Sequence, residues 1–235
     1  PYPSASTLRI STMTAICSIN VPVTLDQLRN LIQAQVEGTI PSYHMKLSIK
    51  KKKKKKIQTT RKNSFQNQCT FLVDLPNGKI VNQKVFKNGN IQMTGLKSEV
   101  DGLAAIQILI DNITKNNNAF ENPIVLDPDI ITKTDCNIVL INSDYSCGFK
   151  IKRDKLYEIL GTYGLYVSYE PDIYPGVNAK FYWNKIYNNT IKPGICNCTV
   201  SCDGKGTGDG NGQCKKVTIS TFQSGNVIIT GARNQ

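Results

Sequence analysis

The sequence predicts an α+β fold made twice over: two pseudo-symmetric halves forming one curved antiparallel sheet, with helices on its convex side. Two observations predict it. Residues 85–97 and 221–233 repeat each other. Both read Phe-x-x-Gly-Asn-x-x-x-Thr-Gly-x-basic, from Phe86 to Lys97 and from Phe222 to Arg233, 136 residues apart. That spacing is far beyond a solenoid period and implies two copies of one half-domain. Each copy reads as strand, tight turn, strand: an exposed aromatic, a Gly-Asn turn, then apolar residues ending in Thr-Gly. The second observation is that the strand–helix order ahead of the first copy recurs ahead of the second.

Taken in order, Leu8–Ser18 is rich in Ile, Thr and Ser and reads as a strand. Thr24 is expected to cap a helix, with Gln27 at capping-box spacing and Leu25, Leu28, Leu31 and Ile32 on one face. Gly38 ends it. Residues 41–64 read as an irregular insertion that contains the run Lys50–Lys56 and His44. Cys69–Leu75 and Ile80–Phe86 are strands about the turn Pro76-Asn77-Gly78, and Ile91–Gly95 is the next. Ser98 is expected to cap a second helix, with Val100, Leu103, Ile106, Ile110 and Ile113 at helical spacing and Gly102 a local weakness. Asn116–Asn118 and Pro123 mark the join, which gives repeats 1–122 and 123–235. The second repeat runs strand near 137–151, helix near 154–160, then strands, with a Cys- and Gly-rich insertion near 194–216. It stops just after its motif, where the first repeat has its long helix. A trimmed C-terminus is expected, because an uncovered apolar face is a liability; a chain that opens on Pro1 is expected to be trimmed there too.

The totals bound the function. A chain of 235 residues with 40% apolar content can bury a real core. No stretch is long enough to span a bilayer as a helix, and no signal peptide is visible, so disulfides are not the default state of the eight cysteines. The Asn-x-Thr sequons at Asn112, Asn188 and Asn197 then read as chance products of an Asn-rich chain. Net charge is +12, of which seven charges lie in Lys50–Lys56. A basic balance favours a polyanion partner through phosphate contacts and counterion release. The Lys run reads as a solvated loop that can still add non-specific affinity for nucleic acid.

Catalysis has little to stand on. With His44 the single histidine, most histidine-based triads, dyads and metalloprotease sites are excluded, and no motif points to a carboxylate pair. The run Gly204–Gly212 fails as a P-loop, because Gly206 rather than Ser or Thr follows Lys205. It fails as a calcium loop for lack of a closing acidic residue. Around it stand Cys196, Cys198, Cys202 and Cys214, four thiols within 19 residues. They read either as free thiols in a loop or as a structural, tetrahedral zinc site with no open position. Zinc is the expected cofactor, because a loop with five glycines between Cys202 and Cys214 has little apolar surface to offset its ordering entropy. The insertion is expected beside Tyr174.

The duplicated motif, together with Tyr169-Glu170-Pro171-Asp172-Ile173-Tyr174-Pro175-Gly176 upstream of its second copy, resembles the TATA-box-binding protein family. There each half carries Phe-x-Ser-Gly-Lys-x-x-x-Thr-Gly-Ala-Lys, and Tyr-Glu-Pro-Glu-Leu-Phe-Pro-Gly precedes the second. The resemblance covers most of the chain and is weak over residues 1–65. The Asn- and Lys-rich composition and the Cys/Gly insertion are similar to the divergent members of large DNA viruses. The resemblance implies a saddle astride the DNA minor groove, where apolar wedges prise open base steps and kink the duplex. It implies double-stranded DNA and transcription-machinery proteins as partners, and an intracellular site of action: the host nucleus, a cytoplasmic viral factory, or the virion. Residue by residue, Phe86, Phe222 and Tyr174 match wedge positions. The fourth falls on Phe65, with Phe71 as competitor. Thr94 and Thr230 match the threonines that face the central bases. Where the family has an asparagine in the first strand of each half, ungapped alignment puts Thr12 and Leu140, with Asn142 or Asn137 as substitutes under a shifted register. The family's Gly-Lys turns are here Gly89-Asn90 and Gly225-Asn226. The rival reading is a viral structural or interaction component that keeps the fold without bending DNA.

Overall fold

A computed structural model describes residues 3–41, 44–47, 67–187 and 192–233. Among the described residues the fold is α+β, with ten strands in antiparallel pairs and three helices. The strands are β1 (Arg9–Ser18), β2 (Met45–Leu47), β3 (Gln68–Asp74), β4 (Ile80–Phe86), β5 (Asn90–Leu96), β6 (Asn137–Ser146), β7 (Tyr166–Glu170), β8 (Tyr174–Trp183), β9 (Lys215–Thr221) and β10 (Asn226–Ala232). The helices are α1 (Leu25–Glu37), α2 (Glu99–Asn116) and α3 (Arg153–Tyr163). Two compact units divide the chain: Met13–Ile138, and Pro1–Thr12 with Val139–Gln235.

In the unit Met13–Ile138 the strand order is β2-β3-β4-β5-β1. Alternation sorts the side chains into two faces, as a half-buried strand requires. Val81, Gln83 and Val85 of β4 and Ile91 and Met93 of β5 point to the helices and are fully buried. α1 packs on β2 and β3, and α2 on β4 and β5. Leu25, Leu28, Leu31 and Ile32 form the buried stripe of α1 as expected, and Gly38 closes it in the left-handed region with φ 78°. The expected capping box at its start is not formed. Thr24 is the N-cap without a side-chain hydrogen bond, and the Gln27 side-chain oxygen instead accepts from the Asn30 side-chain amide. Ser98 does cap α2, and its partner is Asp101 in a reciprocal box. The buried face of α2 is rotated from the expected one. Val100 is 71% exposed, while Gly102, Ala105, Ile106, Leu109 and Ile113 face the sheet. Gly102 is a point of close packing rather than a weakness: a Cβ there would lie 3.0 Å from the Cys136 sulfur. In the stretch read as an irregular insertion, β2 pairs with β3. Lys50–Lys56 lies outside the described residues.

In the other unit the order is β6-β10-β9-β8-β7, and α3 packs on β7 and β8. Here the helix-side residues of β9 and β10 have no helix over them among the described residues. Val217, Ile219 and Ile229 line a groove of about 630 Å³ with Phe181 and Trp183, whereas α2 covers the corresponding strands of the first unit.

The two motif turns are held by matching hydrogen bonds. After β1, the chain returns over the turn of the first motif, and Ile19 and Val23 donate to the carbonyls of Gly89 and Lys87. After β6, Cys147 and Ile151 donate to the carbonyls of Gly225 and Gln223 in the same way. Each turn glycine has a positive φ, 82° at Gly89 and 87° at Gly225. A Cβ would drive into a backbone carbonyl, that of Val21 or Phe149. Only glycine meets both demands.

Candidate functional site

The face of each unit turned away from its helices carries the residues singled out by the motif. In the first unit, the register across β3, β4, β5 and β1 sets Leu72, Asn82, Thr94 and Thr14 in one row. The next row is Thr70, Lys84, Gln92 and Ile16. Thr14, not Thr12, is therefore the cross-strand neighbour of Thr94. Phe86 stands on the same face at the end of β4. It is half-buried and lines a shallow groove with Ile16, Asn90 and Gln92. Phe71 is 0% exposed on the helix side, which removes it as a surface aromatic. Phe65 lies outside the described residues.

In the second unit, β6, β10, β9, β8 and β7 give the row Asn142, Thr230, Thr218, Lys180 and Tyr166. The neighbouring row is Asp144, Ile228, Ser220, Asn178 and Ser168. Asn142, rather than Leu140, opposes Thr230, and its side-chain oxygen is buried without a hydrogen-bond partner among the described residues. Lys180 donates to the Thr218 hydroxyl at 2.9 Å, and the Ser220 hydroxyl to the Asn178 side-chain oxygen at 2.6 Å, so the strip is polar and laterally tied. Asp144, the one acidic group of these rows, is paired with Arg9 at 2.9 Å. Phe222 and Tyr174 close this face together. Their ring centroids are 5.7 Å apart, edge to face, and both rings pack over Gly176. Two aromatics from separate motifs thus converge in one place, with Tyr174 still 38% exposed.

The second cluster lies at the opposite end of β8. Tyr174 opens that strand and Trp183 closes it, so the Cys/Gly insertion, which joins Trp183 to β9, is roughly 30 Å from Tyr174 at the rise of an extended strand. The expectation that it lies beside Tyr174 is corrected by strand direction. The sulfurs of Cys196, Cys198, Cys202 and Cys214 lie within 4.8 Å of one another, an arrangement that can hold a metal ion. Cys198 and Cys214 are 3.4 Å apart, and Cys214 and Cys196 3.7 Å. Burial pushes the Cys214 thiol up. Burial, followed by the charge of the neighbouring thiols, does the same to the Tyr182 phenol.

No family model matches the chain. It is 28% identical over 250 residues to a protein of Acanthamoeba polyphaga mimivirus described as TATA-box-binding protein-like, a match that takes in 97% of this chain. The chain spans 60% of the length of that curated relative. Among solved structures it is similar to Methanococcus jannaschii TBP, with a TM-score of 0.50 and 16% identity over 98% of this chain and 90% of that one. At that identity the likeness is one of fold. The resemblance to the TATA-box-binding protein family is thus present in both sequence and fold. No described helix is long and apolar enough to cross a membrane.

Proposed function

We propose that this chain is a non-enzymatic, DNA-binding transcription-initiation factor of the TATA-box-binding type, which binds promoter DNA through the minor groove and bends it. Residues 1–122 and 123–235 are its two repeats. The observation that carries the reading is the pairing of Tyr174 with Phe222 at the end of a polar, lysine-bearing face, with Phe86 at the matching motif position of the other unit. Aromatic wedges at such positions unstack a base step, and the bend lets more protein surface meet the duplex. Thr94 and Thr230 each stand on the helix-free face of their own unit and offer hydroxyls to minor-groove acceptors. Lys84 and Lys180 supply phosphate contacts. The helical faces are left for transcription-machinery proteins, and the site of action is intracellular, in the nucleus, a viral factory or the virion.

One observation favours the rival reading, an interaction or virion component that does not bend DNA: Asp144 stands among the rows of the candidate face. Its pairing with Arg9 cancels most of that charge, so DNA binding is preferred. The test measures bend angle by end-to-end energy transfer on a labelled duplex, and affinity across a salt series. Phe86→Ala and Phe222→Ala are expected to reduce the bend while leaving the slope of log K against log salt unchanged, since cations set the slope and wedges the geometry. Equal bending by wild type and both variants removes the wedge assignment. No binding even at low salt favours the interaction component.

A further inference from the structure

We propose that Cys196, Cys198, Cys202 and Cys214 bind one zinc ion through four thiolates, in a closed site that fastens the connection between β8 and β9. The sulfur positions fit. Four thiolates about 2.3 Å from a tetrahedral zinc lie about 3.8 Å from one another, and here two pairs stand at 3.4 and 3.7 Å and all four sulfurs lie within 4.8 Å of one another. Four sulfurs meeting at one centre suit a single soft ion, and a set with no carboxylate or imidazole excludes calcium and magnesium. Four protein ligands leave no position for substrate, so the ion is structural.

The surroundings are those of a built metal site. Asn184, 2% exposed, directs its amide nitrogen to the Cys214 sulfur at 3.5 Å. The same nitrogen donates to the Gly210 carbonyl at 2.7 Å, and the side-chain oxygen accepts from the Ile186 amide at 3.0 Å. Asn184 thus ties the end of β8 to a ligand and to the glycine loop, the outer-shell role that orients a metal ligand. The loop folds back on itself through Gly206 to Cys214 at 3.1 Å and Lys216 to Gly204 at 2.7 Å. It offers almost no apolar side chains to hold that shape, and a metal supplies what the core lacks. Trp183, the single tryptophan, lies against Gly208 so closely that a Cβ there would enter its ring. Loss of the ion therefore loosens the wall against which Trp183 rests.

The test uses the full chain purified without chelator. Elemental analysis is expected to give one zinc per chain. Removal of the metal is expected to shift Trp183 fluorescence to longer wavelength, and cobalt(II) added to the metal-free chain is expected to restore it with the absorption of a tetrahedral four-thiolate site at one equivalent. Asn184→Ala is expected to keep the stoichiometry and the cobalt spectrum but to weaken affinity about 10- to 100-fold. Cys198→Ser is expected to change the spectrum to that of three sulfurs. A coloured iron-bearing protein overturns the zinc assignment. Two disulfides by mass spectrometry, or four thiols alkylated in the native state with no metal, overturn the site.

Discussion

Asp101 shows how much one side chain can set. Its carboxylate accepts from Lys79 at 2.8 and 3.0 Å, from Asn77 at 3.0 Å, and from the Lys97 and Ser98 amides at 3.0 and 3.1 Å. Burial alone would raise its pKa. The Lys79 ammonium, the Lys97 amide and the Asn77 amide outweigh burial and hold it at about 2. A folded pKa below the unfolded one means stability that is present above about pH 4 and lost as pH falls toward 2. The contribution is on the order of 2 kcal/mol at neutral pH. Asp101→Asn is expected to lower unfolding stability at pH 7 by about 1–3 kcal/mol, and to flatten the acid limb between pH 4 and 2 in urea titrations. An unchanged acid limb would mean that other carboxylates set it.

At the scale of elements, the two motif turns are the most constrained pieces of the fold. Gly89→Ala and Gly225→Ala each combine an unfavourable left-handed residue, about 1–2 kcal/mol, with a clash against a backbone carbonyl that belongs to the return segment. Gly78→Ala has the same kind of backbone, with φ 78°, and nothing within 4 Å of the added carbon, so it isolates the conformational part. Urea unfolding is expected to show both motif variants losing at least twice what Gly78→Ala loses. Equal losses would show that the return segments yield freely. The rotation of α2 belongs to this scale as well. Its apolar residues support more than one face at helical spacing, and the sheet selects the one on which Gly102 allows close approach to Met93 and Cys136.

For the whole molecule, charge is the governing quantity. Seven of the positive charges behind the net +12 lie in Lys50–Lys56. Replacement of that run by serines is expected to weaken DNA binding similarly for all sequences. It is also expected to reduce the slope of log K against log salt by up to about 0.9 for each phosphate that the run neutralises. A slope that does not move would show that the run touches no phosphate. The preference among DNA sequences belongs to the two candidate faces and is expected to survive the replacement.

Strands, turns and duplication were legible because each rests on local chemistry. β4 falls on the expected residues, the Gly-Asn turns need glycine whatever surrounds them, and a repeat is visible without coordinates. The four cysteines were legible as a group because only 19 residues span them, a short enough reach for their sulfurs to meet. Other features were decided by partners distant in sequence. Phe71 and Phe86 look alike along the chain, and only the packing of α1 and α2 over one face of the sheet makes the first core and the second surface. Strand register, not alignment, put Thr14 and Asn142 opposite the two motif threonines. Strand direction put the cysteine loop at the far end of β8 from Tyr174. Asn184 carried no signal at all in the sequence, because its role exists only where the end of a strand meets a sulfur 30 residues further on.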